Sequence, residues 1–179
     1  MMREKSISEE IYGLEPKIEK LKSLQIIQKY ARNKGQRNSK TTEYFDMQWE
    51  AFAWAAIIGF HYDKRKQLTG ETTTHFKFSV INNNSTDIFY SLILFTVAQD
   101  GYEILGKPRS LVKSIEEYAN GGFDVIFSIL AEKGQDYFDY DQNFLQEVID
   151  RKPKSFKNPK ESSTNERLVD SGDGKGFSI

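Results

Sequence analysis

From Thr42 onward the apolar positions fall into helical register. Phe45, Trp49, Phe52, Ala53, Ala56 and Phe60 recur at helical spacing, and Met47, Trp54, Ile57 and Ile58 fill the faces between them. A helix apolar almost all round is buried on every side, so this segment predicts a central helix ending near Gly59. A second helix is predicted from Thr86 to about Gln99, because Asn82-Asn-Asn-Ser-Thr-Asp87 supplies capping oxygens and an acidic first turn before Ile88, Leu92 and Phe95. Asp100-Gly101 stops it and Pro108 opens the next, which carries Leu111, Ile115, Tyr118 and Ala119 as far as Asn120. There Asn120-Gly121-Gly122 reads as a helix stop and tight turn, with a further helix restarting on Phe123, Ile126, Phe127 and Leu130.

Toward the ends the pattern is weaker. Ile11, Leu14, Ile18, Leu21, Leu24 or Gln25, and Ile27 or Gln28 fall roughly on one helical face within residues 9–31, and Pro16 suits a first helical turn. Thr74–Ile81 alternates, with Phe76, Phe78 and Val80 on one side, and reads as an extended connector or one short strand. Phe144, Leu145, Val148 and Ile149 mark a last helix, after which a Lys, Ser, Asn and Gly-rich run is too poor in apolar residues to fold alone. The expectation is a mainly α fold: a compact domain of five to six helices with at most one short strand or extended connector. Its boundaries are a flexible N-terminus at 1–15, a helical domain at 16–150 and a disordered basic and polar tail at 151–179.

Composition narrows the chemistry. The 179 residues are 38% hydrophobic and 13% aromatic, enough for one buried core. A net charge of −1 gives no global field for nucleic acid. There is no cysteine, which removes disulfides, thiolate nucleophiles and thiolate zinc sites and suits a reducing cytosol. No apolar run approaches a membrane span and the N-terminus lacks a signal-peptide core, so a cytoplasmic protein is expected.

Against that neutral background two clusters are basic. Lys29, Arg32, Lys34, Arg37 and Lys40 occur without an intervening acid, and Lys64, Arg65 and Lys66 follow the central helix. Such clusters neutralise phosphates and would hold a DNA backbone without reading its sequence. The structural alternative for Arg65 is a bidentate pairing with Glu116 or Glu117. Asp136-Tyr137-Phe138-Asp139-Tyr140, acidic and aromatic, is the candidate surface for a basic partner. As a calcium loop that region fails, since Phe144 stands where the turn requires glycine and Asp150 where glutamate is expected. The Asn120-Gly121-Gly122 backbone could cradle an anion, but Asp124 in the following turn would repel one.

For an enzyme the inventory is thin. His61 and His75 have no neighbours of a metal motif or nucleophile–base pair. Glu15-Pro-Lys17 and Asp150-Arg-Lys152 match the short end of a nuclease motif without a strand to carry it, and Gly172-Asp-Gly-Lys-Gly176 has no strand before it. Neither catalysis, a metal nor a cofactor is expected.

Three blocks in order carry a family resemblance: Phe52-Ala-Trp-Ala-Ala-Ile-Ile-Gly-Phe-His-Tyr-Asp-Lys-Arg-Lys-Gln-Leu68; Phe78 followed by Asp87-Ile-Phe-Tyr-Ser-Leu-Ile-Leu94 and Glu103-Ile-Leu105; and Ile115-Glu-Glu-Tyr-Ala-Asn-Gly-Gly122 with its following helix. Over Phe45–Ile149 the chain resembles the small dnd system-associated proteins encoded beside bacterial DNA phosphorothioation genes. It departs from them at Gln67, where a proline is expected. The resemblance implies a setting in anti-phage or restriction-modification loci and carries over no catalytic residues. It points to a non-catalytic accessory subunit whose partner is a larger ATPase or nuclease, with DNA as a further ligand. The alternative is a helical adaptor or inhibitor that docks such a partner without touching DNA.

Overall fold

A computed structural model describes residues 7–31, 44–134 and 141–150. In chain order the elements are α1 (Ile7–Tyr12), β1 (Ile18–Glu19), α2 (Lys20–Lys22), a π turn (Ser23–Ile27), α3 (Gln28–Tyr30), α4 (Gln48–His61), β2 (Thr72–Thr73), α5 (Phe78–Asn84), α6 (Thr86–Asp100), a 3-10 turn (Tyr102–Gly106), α7 (Pro108–Lys133) and α8 (Asp141–Asp150). The fold is mainly α, as the apolar spacing predicts. Arg32, Lys34, Arg37, Lys40 and the 136–140 segment lie outside the described residues, as does everything beyond Asp150.

The core is built on α4 and α7, which cross in close contact. α4 buries nine of its fourteen residues, Phe52, Ala55 and Ile58 among them. Phe52 shares one buried cluster with Phe78 from α5, Phe89 and Leu92 from α6, Phe123 from α7, and Ile11, Ile26 and Ile27 from the N-terminal run. Phe52 meets Phe76 and Phe78 edge-on at centroid distances of 5.5 and 6.5 Å, the arrangement favoured by ring quadrupoles.

Four expectations give way. The helix stop at Asn120-Gly121-Gly122 does not occur: α7 runs unbroken for 26 residues. A Cβ on Gly122 would fall 1.7 Å from the Ala55 carbonyl oxygen, one on Gly59 1.9 Å from that of Tyr118, and one on Gly121 1.8 Å from that of Lys64. These glycines are present for space. A helical glycine costs about 1 kcal/mol against alanine, and the close helix crossing outweighs that. Likewise α4 passes Gly59 and ends at His61. Asp63, at φ 47°, closes it: its N–H bonds the Phe60 carbonyl at 3.1 Å and the Lys64 N–H bonds that of Gly59 at 2.8 Å, a Schellman closure with aspartate in the position glycine prefers.

The N-terminal helix is broken into pieces. Ile7–Tyr12, placed outside the domain by the sequence reading, is helical and sends Ile11 into the core. After an extended stretch Ile18 and Glu19 pair antiparallel with Thr73 and Thr72, and the π turn then rotates the following face. Leu21 and Leu24, expected inside, are exposed, while Ile26 and Ile27 are buried. The 74–81 connector is extended only up to Lys77, and α5 starts at Phe78, where the Phe78 N–H bonds the Leu14 carbonyl at 2.8 Å. By contrast α6 starts on the Ser85 cap and stops at Gly101, φ 88°, where the sequence puts both ends.

Candidate functional site

Polar side chains inside the fold concentrate on the middle of α7. Ser114, Glu116, Glu117 and Asn120 are all buried there, with Asp124 one turn further on. Two segments wrap them: residues 17–22 from one side, and the strap that leaves α4, residues 62–69, from the other. The strap is held by backbone as well, the Lys66 N–H bonding the Glu117 carbonyl at 3.0 Å.

Arg65 occupies the first half of this stripe. Its Nε donates to Glu117 Oε2 at 2.6 Å and its Nη1 to Asp100 Oδ1 at 2.7 Å, while the guanidinium lies 5.6 Å over the Tyr118 ring. Ser114 Oγ donates to the other Asp100 oxygen at 2.5 Å. Tyr118 in turn stacks on Phe60 at 4.1 Å. Burial acts to lower the Arg65 pKa, but Glu117 and Asp100 hold it above its ordinary value. The pairing of Arg65 with Glu117, one of the sequence alternatives, is therefore present. Glu116 instead accepts from the Lys17 backbone N–H at 2.8 Å, and burial pushes its carboxyl up.

Lys22 occupies the second half. Its ammonium is buried and donates to Asn120 O at 2.7 Å, Asn120 Oδ1 at 2.6 Å and Asp124 Oδ1 at 2.7 Å. The other Asp124 oxygen takes Lys66 Nζ at 2.7 Å. The Asn120 amide N–H groups reach Glu19 Oε1 at 3.2 Å and the Gln67 carbonyl at 3.1 Å, and Glu19 also accepts the Thr69 N–H at 3.0 Å. Burial would raise the carboxyls of Asp124 and Glu19. Lys22 and Lys66 hold Asp124 below its ordinary value, and Thr69, Asn120 and the same lysines do so for Glu19. Burial lowers the pKa of Lys22 even beside Asp124.

Of the predicted basic residues, then, Lys64, Arg65 and Lys66 are all exposed, Arg65 and Lys66 being paired with acids of the stripe, and Lys29 lies 5.1 Å over the Tyr30 ring. The structure does not bring Lys29 and the 64–66 cluster into one site. Asn120 is a donor and acceptor hub rather than a cap. Reading by sequence missed Lys22 and Asp100. For Lys22 a signal existed, since it sits between Ile18 and Ile26 on the spacing of a buried row. His75 pairs through Nε2 with Ser23 Oγ at 2.6 Å, and burial lowers its pKa. His61 Nε2 is buried without a hydrogen-bond partner among the described residues.

Chemically, these acids and bases satisfy one another and fix loops to α7. Beside them lies an open cleft of about 270 Å³ bordered by Lys17, Lys113, Glu116 and Glu117. Among the described residues no cluster of His, Asp or Glu is arranged to hold a metal, and no helix is long and apolar enough to cross a membrane.

Comparison with known proteins gives one match. Residues 20–166 match the family described as DNA sulphur modification system-associated protein 4, a span that includes the α4–α7 crossing, the strap and the polar stripe. No curated protein and no solved structure matches. Since the match covers most of the 179 residues, the chain belongs to the DNA sulphur modification system-associated protein 4 family, one of the dnd-associated proteins.

Proposed function

We propose that this protein is a non-catalytic accessory subunit of a bacterial anti-phage DNA-modification system, acting by contact with a larger ATPase or nuclease of that system. One observation carries the reading. The charged groups best placed for chemistry or for phosphate, Arg65, Lys66, Glu117 and Asp124, are paired at 2.6–2.7 Å, and with the Asn120 amide on the Lys66 carbonyl at 3.3 Å they lock the strap onto α7. A phosphate competing for Arg65 would have to displace two carboxylates, which favours a docking role over a DNA-gripping one for this region. Contact with the DNA backbone falls instead to the cluster from Lys29 to Lys40.

The test is capture of the tagged chain from its native host with and without nuclease treatment. Recovery of a large system protein in both samples is the expected result. Loss of every partner on nuclease treatment would overturn the docking reading. In the same assay Lys34→Glu with Arg37→Glu should reduce any DNA retained and leave the protein partner bound.

A further inference from the structure

The outer face of α6 is unusual for a surface helix. From Ile88 to Gln99 it carries no charged residue, and only Phe89, Leu92 and Thr96 are turned fully inward. Tyr90 at 50% exposed, Leu94 at 66%, Phe95 at 42% and Tyr102 at 80% stand open, with Ala98 exposed beside them. Tyr90, Leu94 and Ala98 form one ridge at four-residue spacing, the row that helices interdigitate when they pack.

We propose that this face is a two-fold contact with a second copy of the chain, Leu94 lying on the axis. The order of residues along the ridge makes the case. In an antiparallel pair centred on Leu94, positions equally spaced on either side meet, so each Tyr90 faces the other copy's Ala98 and each Ser91 its Val97. Large side chains meet small ones, and the face is complementary to itself, as an isologous interface requires. Asp87, just outside the uncharged stretch, falls opposite Gly101 at the end of the helix. A face without charges also has nothing to pair with an unlike, charged partner, whereas a copy of itself is equally uncharged.

The area agrees with reversible pairing. With about 150–250 Å² available from each aromatic side chain, the open ridge offers on the order of 450 Å² per molecule. That is as large as the largest apolar patch of a typical monomer. Doubled, it comes to about 900 Å², at the low end of specific interfaces, where association is weak.

The experiment is sedimentation equilibrium of the full chain from about 1 to about 200 micromolar. The expected result is an average mass rising from 20.7 kDa toward twice that value. Leu94→Glu, which sets two carboxylates against each other on the axis, should weaken association by at least ~100-fold. Because Leu94 is already 66% exposed, its helical circular dichroism and thermal midpoint should stay as in the parent. Leu94→Cys supplies the only thiol in a chain without cysteine, and mild oxidation should link it to its own copy, whereas Thr69→Cys should not link. A mass of 20.7 kDa at every concentration, or a dimer indifferent to Leu94→Glu, would overturn the proposal. So would a Leu94→Glu chain that self-associates normally but no longer captures the larger system protein, since the ridge would then belong to that partner.

Discussion

Gly122 shows how far a single residue depends on its surroundings. Replacing glycine by alanine inside an exposed helix gains about 1 kcal/mol. At Gly122 the added carbon would sit 1.7 Å from the Ala55 oxygen and 2.9 Å from the Gly59 nitrogen, so the backbones of α4 and α7 must separate. Gly122→Ala is expected to cost about 3 kcal/mol or more in urea denaturation, while Gly106→Ala, which meets nothing within 4 Å, should change stability little. The same residues explain why sequence reading erred here. Asn-Gly-Gly is a strong local stop signal, and only the partner helix, distant in sequence, reveals that the glycines serve close approach. Arg65 was half legible: a guanidinium fits a glutamate in sequence terms, but Asp100 looked like a helix terminus and gave no sign of being its second partner.

Among elements, those with local signals were readable. α6 carries its cap, its apolar repeat and its terminal glycine within one segment, and its bounds follow from them. The N-terminal run does not, because its register is set by pairing with Thr72–Thr73 and by a π turn, so that Leu21 and Leu24 face out while Lys22, Ser23 and Ile26 join Ile27 inside. Lys22 is the buried charge that fastens that run to α7, beside the Lys17 N–H on Glu116 and the Asn120 amide on Glu19. Removing one partner of a buried ion pair costs about 3–5 kcal/mol, because the other charge stays behind without compensation. Here Lys66 still compensates Asp124, so Lys22→Met acts mainly by leaving the Asn120 acceptors unpaired and should destabilise by about 1–3 kcal/mol. A double-mutant cycle with Asp124→Asn should give a coupling of at least ~1 kcal/mol. A coupling near zero would mean that the Lys22–Asp124 pair adds nothing to the hold of the arm's other contacts.

For the whole molecule, the polar stripe makes stability depend on pH with a sign that can be worked out. Asp124 and Glu19 titrate below their ordinary values of 3.8 and 4.5 in the fold. The unfolded chain thus binds their protons first, and the stability they contribute is present above those values and is lost as the pH falls through the lower, folded ones. Glu116 has the opposite sign: raised by burial, it gains stability as the pH falls through its folded value toward 4.5. Asp124→Asn should make the fall of the thermal midpoint below pH 3.8 shallower than in the parent, and an unchanged slope would remove Asp124 from the account. The helical architecture as a whole was legible in the apolar spacing, whereas the acidic partner of Lys66 and the second partner of Arg65 were not, because short charge runs look alike whether they face water alone or acids as well. The α4–α7 crossing carries one more implication, for the recognition of relatives. Any chain that keeps this fold must leave positions 59 and 122 without a side chain or else draw its two central helices apart, and position 121 bare or else lift the strap at Lys64, so those three places offer a yardstick for common architecture that overall sequence likeness does not supply.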